Sequence, residues 1–160
     1  MPFSGKTTLG KAIAEYLDLT YISLDEINEA RNLFGGEGIS VEEWEKTHFL
    51  AREKLQLLMP SQQDLVLDDT SCFRWLRDRF RNLAAQYNYQ TKIIFLDISL
   101  AEIESRIEKN QKTQARHQVK SDIIQQMSKT FEYPEEDEAV LTYNANESVN
   151  EWILRHLGRI

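Results

Sequence analysis

The sequence predicts an α/β domain in which a parallel sheet is covered by helices on both faces. Three observations carry the prediction. Short apolar runs alternate with stretches of helical period, the first three runs each end in an acid, and Ser4-Gly5-Lys6-Thr7-Thr8 leads straight into an amphipathic helix. Parallel strands need a long crossover, usually helical, so alternation of this kind is their signature. At 160 residues, with 41% apolar and 10% aromatic content, the chain supports one core and is too short for two, so residues 1–160 read as a single domain.

The first element is a helix whose Leu9, Ala12, Ile13, Tyr16 and Leu17 share one face, with Lys11 and Glu15 outside. A first strand follows at Tyr21-Ile22-Ser23-Leu24 and ends in Asp25. Next comes a long helical insertion, about residues 26–60, in which Gly35-Gly36-Glu37-Gly38 separates a short helix from a longer one. Ser40 and Glu43 have capping-box spacing at the start of that longer helix, which ends before Pro60. In a small-molecule enzyme such an insertion would cap the acceptor pocket. The second strand, Leu65-Val66-Leu67, ends in Asp68 and Asp69. The helix after it buries Trp75, Leu76, Phe80 and Leu83, while Arg74, Arg77, Arg79 and Arg81 read as solvated or paired with acids.

The third strand, Lys92-Ile93-Ile94-Phe95-Leu96, ends in Asp97, and Ser99 with Glu102 starts the next helix. A basic cluster of Arg106, Lys109, Lys112, Arg116, His117 and Lys120 spans that helix end and a polar stretch, Asn110 to Gln118. This reads as a mobile flap bearing cations. A weaker fourth strand, Ala139-Val140-Leu141-Thr142-Tyr143, precedes a helix opened by Ser148 and Glu151.

Charge and composition exclude several functions. A formal net charge of -7 argues against nucleic acid or an anionic membrane as a partner, and points to small, specific ligands. Cys72 is the one cysteine, so no internal disulfide forms and packing is its expected role. No signal peptide or spanning apolar run is visible, and a cytoplasmic location is expected. His48 and His156 lie in amphipathic helices without Cys or His partners at zinc-ligand spacing, and no Gly-x-Ser-x-Gly elbow occurs. His117 belongs to the flap rather than to acid–base chemistry.

Ser4 to Thr8 is most of a phosphate-binding loop. The pattern is Gly, four residues, then Gly-Lys-Ser/Thr, and counting back from Gly5 puts the first glycine one position before Met1. In such a loop backbone amides and the positive end of the following helix face the phosphates, and the lysine adds a point charge. Thr7 would put its hydroxyl on the Mg2+ that bridges them. Ligands in open parallel sheets bind beyond the carboxyl ends of the strands, where Asp25, Asp68, Asp69 and Asp97 lie. Acids at those positions also serve as helix caps, and both readings stay open here.

Taken together, Pro2-Phe3-Ser4-Gly5-Lys6-Thr7-Thr8, Leu24-Asp25, Leu67-Asp68-Asp69-Thr70 with Leu76-Arg77, and Arg116-His117 with Val119 resemble a known family. Phe131-Glu132-x-Pro134, Asp137-Glu138, a tyrosine-bearing strand and a helix with Trp152 extend the match along nearly the whole chain. The family is the bacterial P-loop kinases of the AAA-type ATP-binding group, related to polynucleotide kinase, chloramphenicol phosphotransferase and zeta toxins. The resemblance implies a P-loop NTPase fold, three-layer α/β/α and nucleoside-kinase-like, with ATP and Mg2+ as cofactors and a lid at about 106–120. It implies transfer of the γ-phosphoryl group to a hydroxyl of a small molecule or nucleotide. Ser4, Gly5, Lys6, Thr7 and Thr8 would hold the phosphates, Asp25 would activate or orient the acceptor, and Arg116 and Arg106 would be lid cations on the phosphates. Thr7 with Asp68 or Asp69 would lie on the metal side, Asp69 being favoured because it directly precedes Thr70. Asn28 stands where polynucleotide kinases carry an arginine that helps hold the acceptor, which turns the expectation away from nucleic acid.

The same resemblance implies that the first, central strand is missing, which would leave two ladder edges unpaired around an apolar slot. The expectation is a chain that continues upstream of Met1 with an apolar strand and a glycine. A nucleotide-binding module or regulatory ATPase without acceptor, and an inactive truncated remnant, are the alternative readings.

Overall fold

The structure is a computed structural model that describes residues 1–34, 38–114, 117, 119, 121–144 and 146–158, without the side chains of residues 121 and 122. In chain order the elements are α1 (Lys6–Leu17), β1 (Thr20–Ser23), α2 (Leu24–Ala30), α3 (Val41–Leu58) and β2 (Leu65–Asp68). They continue with α4 (Arg74–Gln86), β3 (Ile93–Asp97), α5 (Leu100–Thr113), α6 (Ser121–Thr130), β4 (Val140–Asn144) and α7 (Val149–His156). Short 3-10 turns at Met59–Ser61 and Glu136–Glu138 close α3 and precede β4.

All four expected strands form and all pair in parallel. They make two sheets rather than one: β1 pairs with β2, and β3 pairs with β4. The register sets Tyr21 opposite Val66 and Ser23 opposite Asp68, and Ile93 opposite Val140 through Asp97 opposite Asn144. Leu24 leaves the first strand because Ser23 caps α2, its side chain accepting from the Glu26 amide at 3.4 Å. The expected caps also form at Ser40, which accepts from the Glu43 amide at 3.3 Å, and at Ser99, which accepts from Glu102 at 3.2 Å. Ser148 differs: α7 starts behind it, but its side chain makes no capping bond.

Helices cover both faces of the strands. On one face Leu9 and Ile13 of α1 and Trp152 and Ile153 of α7 pack with Val66 of β2, Ile94 and Leu96 of β3, and Leu141 and Tyr143 of β4. Helix α1 thus lies across both sheets. Gly10 permits this approach, because a Cβ there would meet Tyr21 Cε2 at 3.1 Å and Val66 Cγ1 at 3.7 Å. On the other face Ala51, Leu55 and Met59 meet Phe80, Leu83 and Ala84 of α4 above Ile22, Leu65 and Leu67. Burying each large side chain of this kind is worth about 1.5–3 kcal/mol. A third cluster, Ile98, Ile103, Ile107 and Ile124, joins α5 to α6 and holds Phe3 and Val119.

Two expectations for the flap change. Helix α5 runs to Thr113, because Ile103, Ile107 and Asn110 keep one inward stripe, so residues 110–113 of the expected polar stretch are helical. Helix α6 was not anticipated from the sequence, although Ile124 and Met127 lie one helical step apart. The four arginines of α4 are all paired: Arg74 with Glu135 and Asp137, Arg77 with Glu138, Arg79 with Glu45, and Arg81 with Asp78. Among the described residues no helix is long and apolar enough to cross a membrane.

Candidate nucleotide and phosphoryl-transfer site

Gly5 caps α1 in the left-handed region, at φ 100 and ψ 11, a conformation that favours glycine. No side chain caps that helix end, so its first amides face outward as an anion-binding terminus. The turn before it is drawn tight. Ser4, which is buried, donates its hydroxyl to the Met1 carbonyl at 2.8 Å, and Lys6 Nζ donates to the same oxygen at 3.0 Å. Arg106 Nη1 donates to the Phe3 carbonyl at 3.1 Å and the Ser4 carbonyl at 3.0 Å, while its Nε donates to Glu102 at 2.9 Å. Arg106 therefore grips the backbone of the loop from α5.

Thr7, the second residue of α1, donates its hydroxyl to Asp68 Oδ2 at 2.8 Å, and Tyr21 donates to the same oxygen at 2.7 Å. Burial, then the hydrogen bond to Asp68, pushes the Tyr21 phenol well above its ordinary range, so Tyr21 stays a donor at any physiological pH. Asp69 points elsewhere, accepting from the Ser71 amide at 3.1 Å and the Ser71 hydroxyl at 2.6 Å. The sequence preference for Asp69 as the metal-side acid thus meets a different geometry: adjacent strand-end residues face opposite ways, and Asp68 is the one turned to Thr7. A threonine hydroxyl beside a carboxylate is a hard oxygen pair, the donor type magnesium takes. The pair fits the implied ion, and among the described residues no group of three His, Cys, Asp or Glu side chains makes an all-protein cage.

Asp25 is exposed in the first turn of α2. Because Ser23 is opposite Asp68 in the ladder, Asp25 lies at the same end of β1 and β2 as the Thr7–Asp68 pair. Behind it Asn28 is buried and accepts from Thr47 of α3, and Arg31 donates to the Glu43 carbonyl at 2.8 Å and pairs with the Glu43 carboxylate. These contacts fasten the two helices of the insertion together. His48, buried on α3, packs 5.7 Å from the Phe80 ring, and burial pulls its imidazole below the ordinary range, so it is neutral packing. Cys72 is half-buried, and burial raises its thiol.

A cavity of about 400 Å3 opens beside the loop, lined by Gly5, Thr8, Ile98, Arg106, Asn110 and Tyr143 among others. Thr8 is exposed at its edge. Of the lid, Arg116 lies outside the described residues. His117 is described, and its ring sits 5.8 Å from Phe34, so the segment after α5 meets the segment after α2. The structure thus brings Ser4 to Thr8, Arg106 and Asp68 together and sets Asp25 at the same sheet end. Sequence reasoning missed Tyr21, whose hydroxyl becomes relevant only through strand register.

Comparisons with known proteins bear on the family and the fold. A family model described as an AAA domain matches residues 1–134. No curated protein sequence matches the chain. Among solved structures, a gluconokinase from Sinorhizobium meliloti 1021 superposes with a TM-score of 0.69 at 19% identity, covering 96% of this chain and 83% of the other. A sugar kinase from Janibacter sp. HTCC2649 gives 0.71 at 20% identity, with 98% and 88% covered. The Mycobacterium tuberculosis APS kinase CysC, solved with AMPPNP and APS, gives 0.71 at 14% identity, with 98% and 91% covered. At these identities the likeness is one of fold, and the fold is that of P-loop kinases.

Proposed function

Since the chain belongs to the AAA-domain family, we propose that it is an ATP-dependent kinase that transfers the γ-phosphoryl group of MgATP to a hydroxyl of a small molecule or a nucleotide. The observation that carries this reading is the convergence of an uncapped helix terminus at Gly5, the Thr7–Asp68 hydroxyl–carboxylate pair and the strand-end acid Asp25 on one end of the β1–β2 sheet.

When bound, the metal–nucleotide complex supplies the phosphoryl group and neutralises charge on its oxygens. The chain's own part is binding and orientation. The amides at the start of α1 and Lys6 would receive the phosphates, and Thr7 and Asp68 would hold the ion. Tyr21 keeps the second contact to Asp68 and fixes the rotamer of that carboxylate. Arg106 sets the shape of the loop by holding the carbonyls of Phe3 and Ser4. Arg116 is assigned to charge stabilisation over the phosphates, as the family resemblance implies. Asp25 would orient the acceptor and take up the proton its hydroxyl loses as the new P–O bond forms.

Calorimetry with a non-hydrolysable ATP analogue, and ADP release across an acceptor panel beginning with gluconate and APS, test the proposal. Lys6→Ala is expected to abolish nucleotide binding. Asp25→Asn is expected to keep it while lowering turnover by about 10²–10⁴. Nucleotide binding that survives Lys6→Ala unchanged overturns the assignment.

A further inference from the structure

Helix α3 keeps an apolar strip on its outer side. Val41, Phe49, Leu50 and Leu57 are four of the ten exposed large apolar side chains among the described residues, and no other helix carries more than one. Phe49 is 56% exposed and Leu57 82%. With Leu50 they lie on the side of the helix opposite Thr47, Ala51 and Leu55, which are buried. A contiguous apolar strip bordered by charge marks a place where a partner docks.

The charges on the same side define that partner. Lys46 and Glu53 are seven residues apart, as are Leu50 and Leu57, and that spacing is about two helical turns, so the four share one strip. Lys46 pairs with Glu43 of its own helix at 2.6 Å, and Glu53 has no ion-pair partner among the described residues. Consider a second α3 laid antiparallel, with a two-fold axis midway between Phe49 and Leu50. Each Lys46 then stands opposite the Glu53 of the other copy, because the two lie equally far from that midpoint, about 5 Å along the helix. Phe49 and Leu50 of both copies meet at the centre.

Neighbouring alignments set like charges together. A parallel pair stacks Lys46 on Lys46 and Glu53 on Glu53. An axis at Leu50 opposes Lys46 to Lys54, and an axis at Glu53 opposes the two Glu53 carboxylates. Like charges placed opposite each other reject a wrong register. The strip is thus complementary to itself about the Phe49–Leu50 midpoint, which is what a two-fold interface requires. Glu42 and Glu53 on this side also oppose docking on an anionic membrane.

We infer that α3 is the interface of a two-fold dimer of this chain, in which the two α3 helices pack antiparallel about Phe49 and Leu50 and each Lys46 meets the Glu53 of the other copy. Such a dimer braces the two helical insertions against each other, because α2 is fastened to α3 by the Asn28–Thr47 and Arg31–Glu43 contacts. The inference concerns the outer side of α3 and is independent of the kinase reading.

Sedimentation equilibrium of the full chain over about 1–300 μM is expected to give a monomer–dimer equilibrium with a Kd of about 1–100 μM, as for a small, partly polar interface. Leu50→Lys is expected to raise that Kd at least about tenfold. Glu53→Lys, which sets lysines against each other at both ends of the strip, is expected to raise it about tenfold. Lys46→Glu combined with Glu53→Lys exchanges the charges and is expected to return Kd to within about threefold of the parent. A variant that merely lost its fold would not be restored in this way, and far-ultraviolet circular dichroism checks the fold of each. A monomer at every concentration overturns the proposal, and binding of that monomer to vesicles of phosphatidylserine and phosphatidylcholine would make a membrane the occupant. A dimer whose Kd none of these variants moves joins through another face and overturns it as well. So does a charge-exchanged variant that dimerises no better than Glu53→Lys alone.

Discussion

Arg77→Ala is the perturbation whose cost the structure defines most closely. Arg77 is 5% exposed and Glu138 is 0% exposed. They form a two-bond pair, Nε to Oε1 at 2.7 Å and Nη2 to Oε2 at 3.0 Å. The Arg77 Nη1 group also donates to the carbonyls of Ser71 at 3.1 Å and Glu132 at 2.9 Å, and Glu138 accepts from the Glu135 amide at 2.9 Å. Removing the guanidinium leaves a carboxylate in the core with one remaining donor and two carbonyls unpaired. Breaking a buried pair in this way costs about 3–5 kcal/mol, which for a chain of this length lowers Tm by about 6–20 °C. The sign with pH discriminates further. In the intact protein the Arg77 hydrogen bond holds the Glu138 carboxyl below its ordinary range. Its contribution is therefore present above the unfolded pKa and is lost as pH falls through the lower folded value. In Arg77→Ala the buried carboxyl loses its two-bond partner and keeps only the Arg81 guanidinium 3.9 Å away, its folded pKa rises, and the variant gains stability relative to the parent as pH falls from 7 toward 5. Urea denaturation at pH 7, 6 and 5, followed by circular dichroism, measures both effects. A loss below about 1 kcal/mol at pH 7, or a difference that does not narrow toward pH 5, refutes the reasoning.

Three further outcomes follow from the same coordinates. Tyr21→Phe removes one of two hydroxyls on Asp68; it is expected to cost about 0.5–1.5 kcal/mol of stability and to raise the magnesium concentration needed for half-maximal nucleotide binding, read by calorimetry across a magnesium series. Gly10→Ala places a methyl 3.1 Å from Tyr21; overpacking of about 1–3 kcal/mol outweighs the gain in helix propensity, so its melting temperature falls instead of rising. Arg106→Ala frees the Phe3 and Ser4 carbonyls; nucleotide affinity is expected to drop by about tenfold or more, and Arg106→Lys, which lacks the separate Nε donor that ties the guanidinium to Glu102 while Nη1 holds both carbonyls, restores little of it.

What was legible in the sequence is what local pattern controls. The four strands, the helix behind the loop and two of the three expected serine caps, at Ser40 and Ser99, follow from periodicity and capping chemistry. The choice between Asp68 and Asp69 does not, because it depends on which side of β2 faces α1, and that is settled by packing of Gly10 against Tyr21 and Val66. Arg77 was grouped with its neighbours Arg74, Arg79 and Arg81, although it lies three residues before Phe80 and seven before Ala84, on the stripe that turns inward. The helical spacing was there to be read, but a charged residue on an apolar stripe identifies itself only when a partner such as Glu138 arrives from 61 residues away. Helix α6 escaped notice for a related reason: its apolar stripe is short, and it is fixed by docking Ile124 against Ile103 and Ile107 of α5.

Helix α1 lies across both sheets and carries Lys6 and Thr7 at its tip, which makes it a lever. Its 12 residues span about 18 Å at 1.5 Å per residue. A tilt of only about 5° about its far end, by the same geometry, would displace the tip by about 1.6 Å. That shift is over half the 2.8 Å separation of Thr7 and Asp68, and misplacements near 1 Å cost about a hundredfold in rate. Rotation of one strand pair against the other would therefore shift Thr7 relative to Asp68, and under the proposed function the stiffness of the junction between the pairs joins the identity of the loop residues in setting the rate.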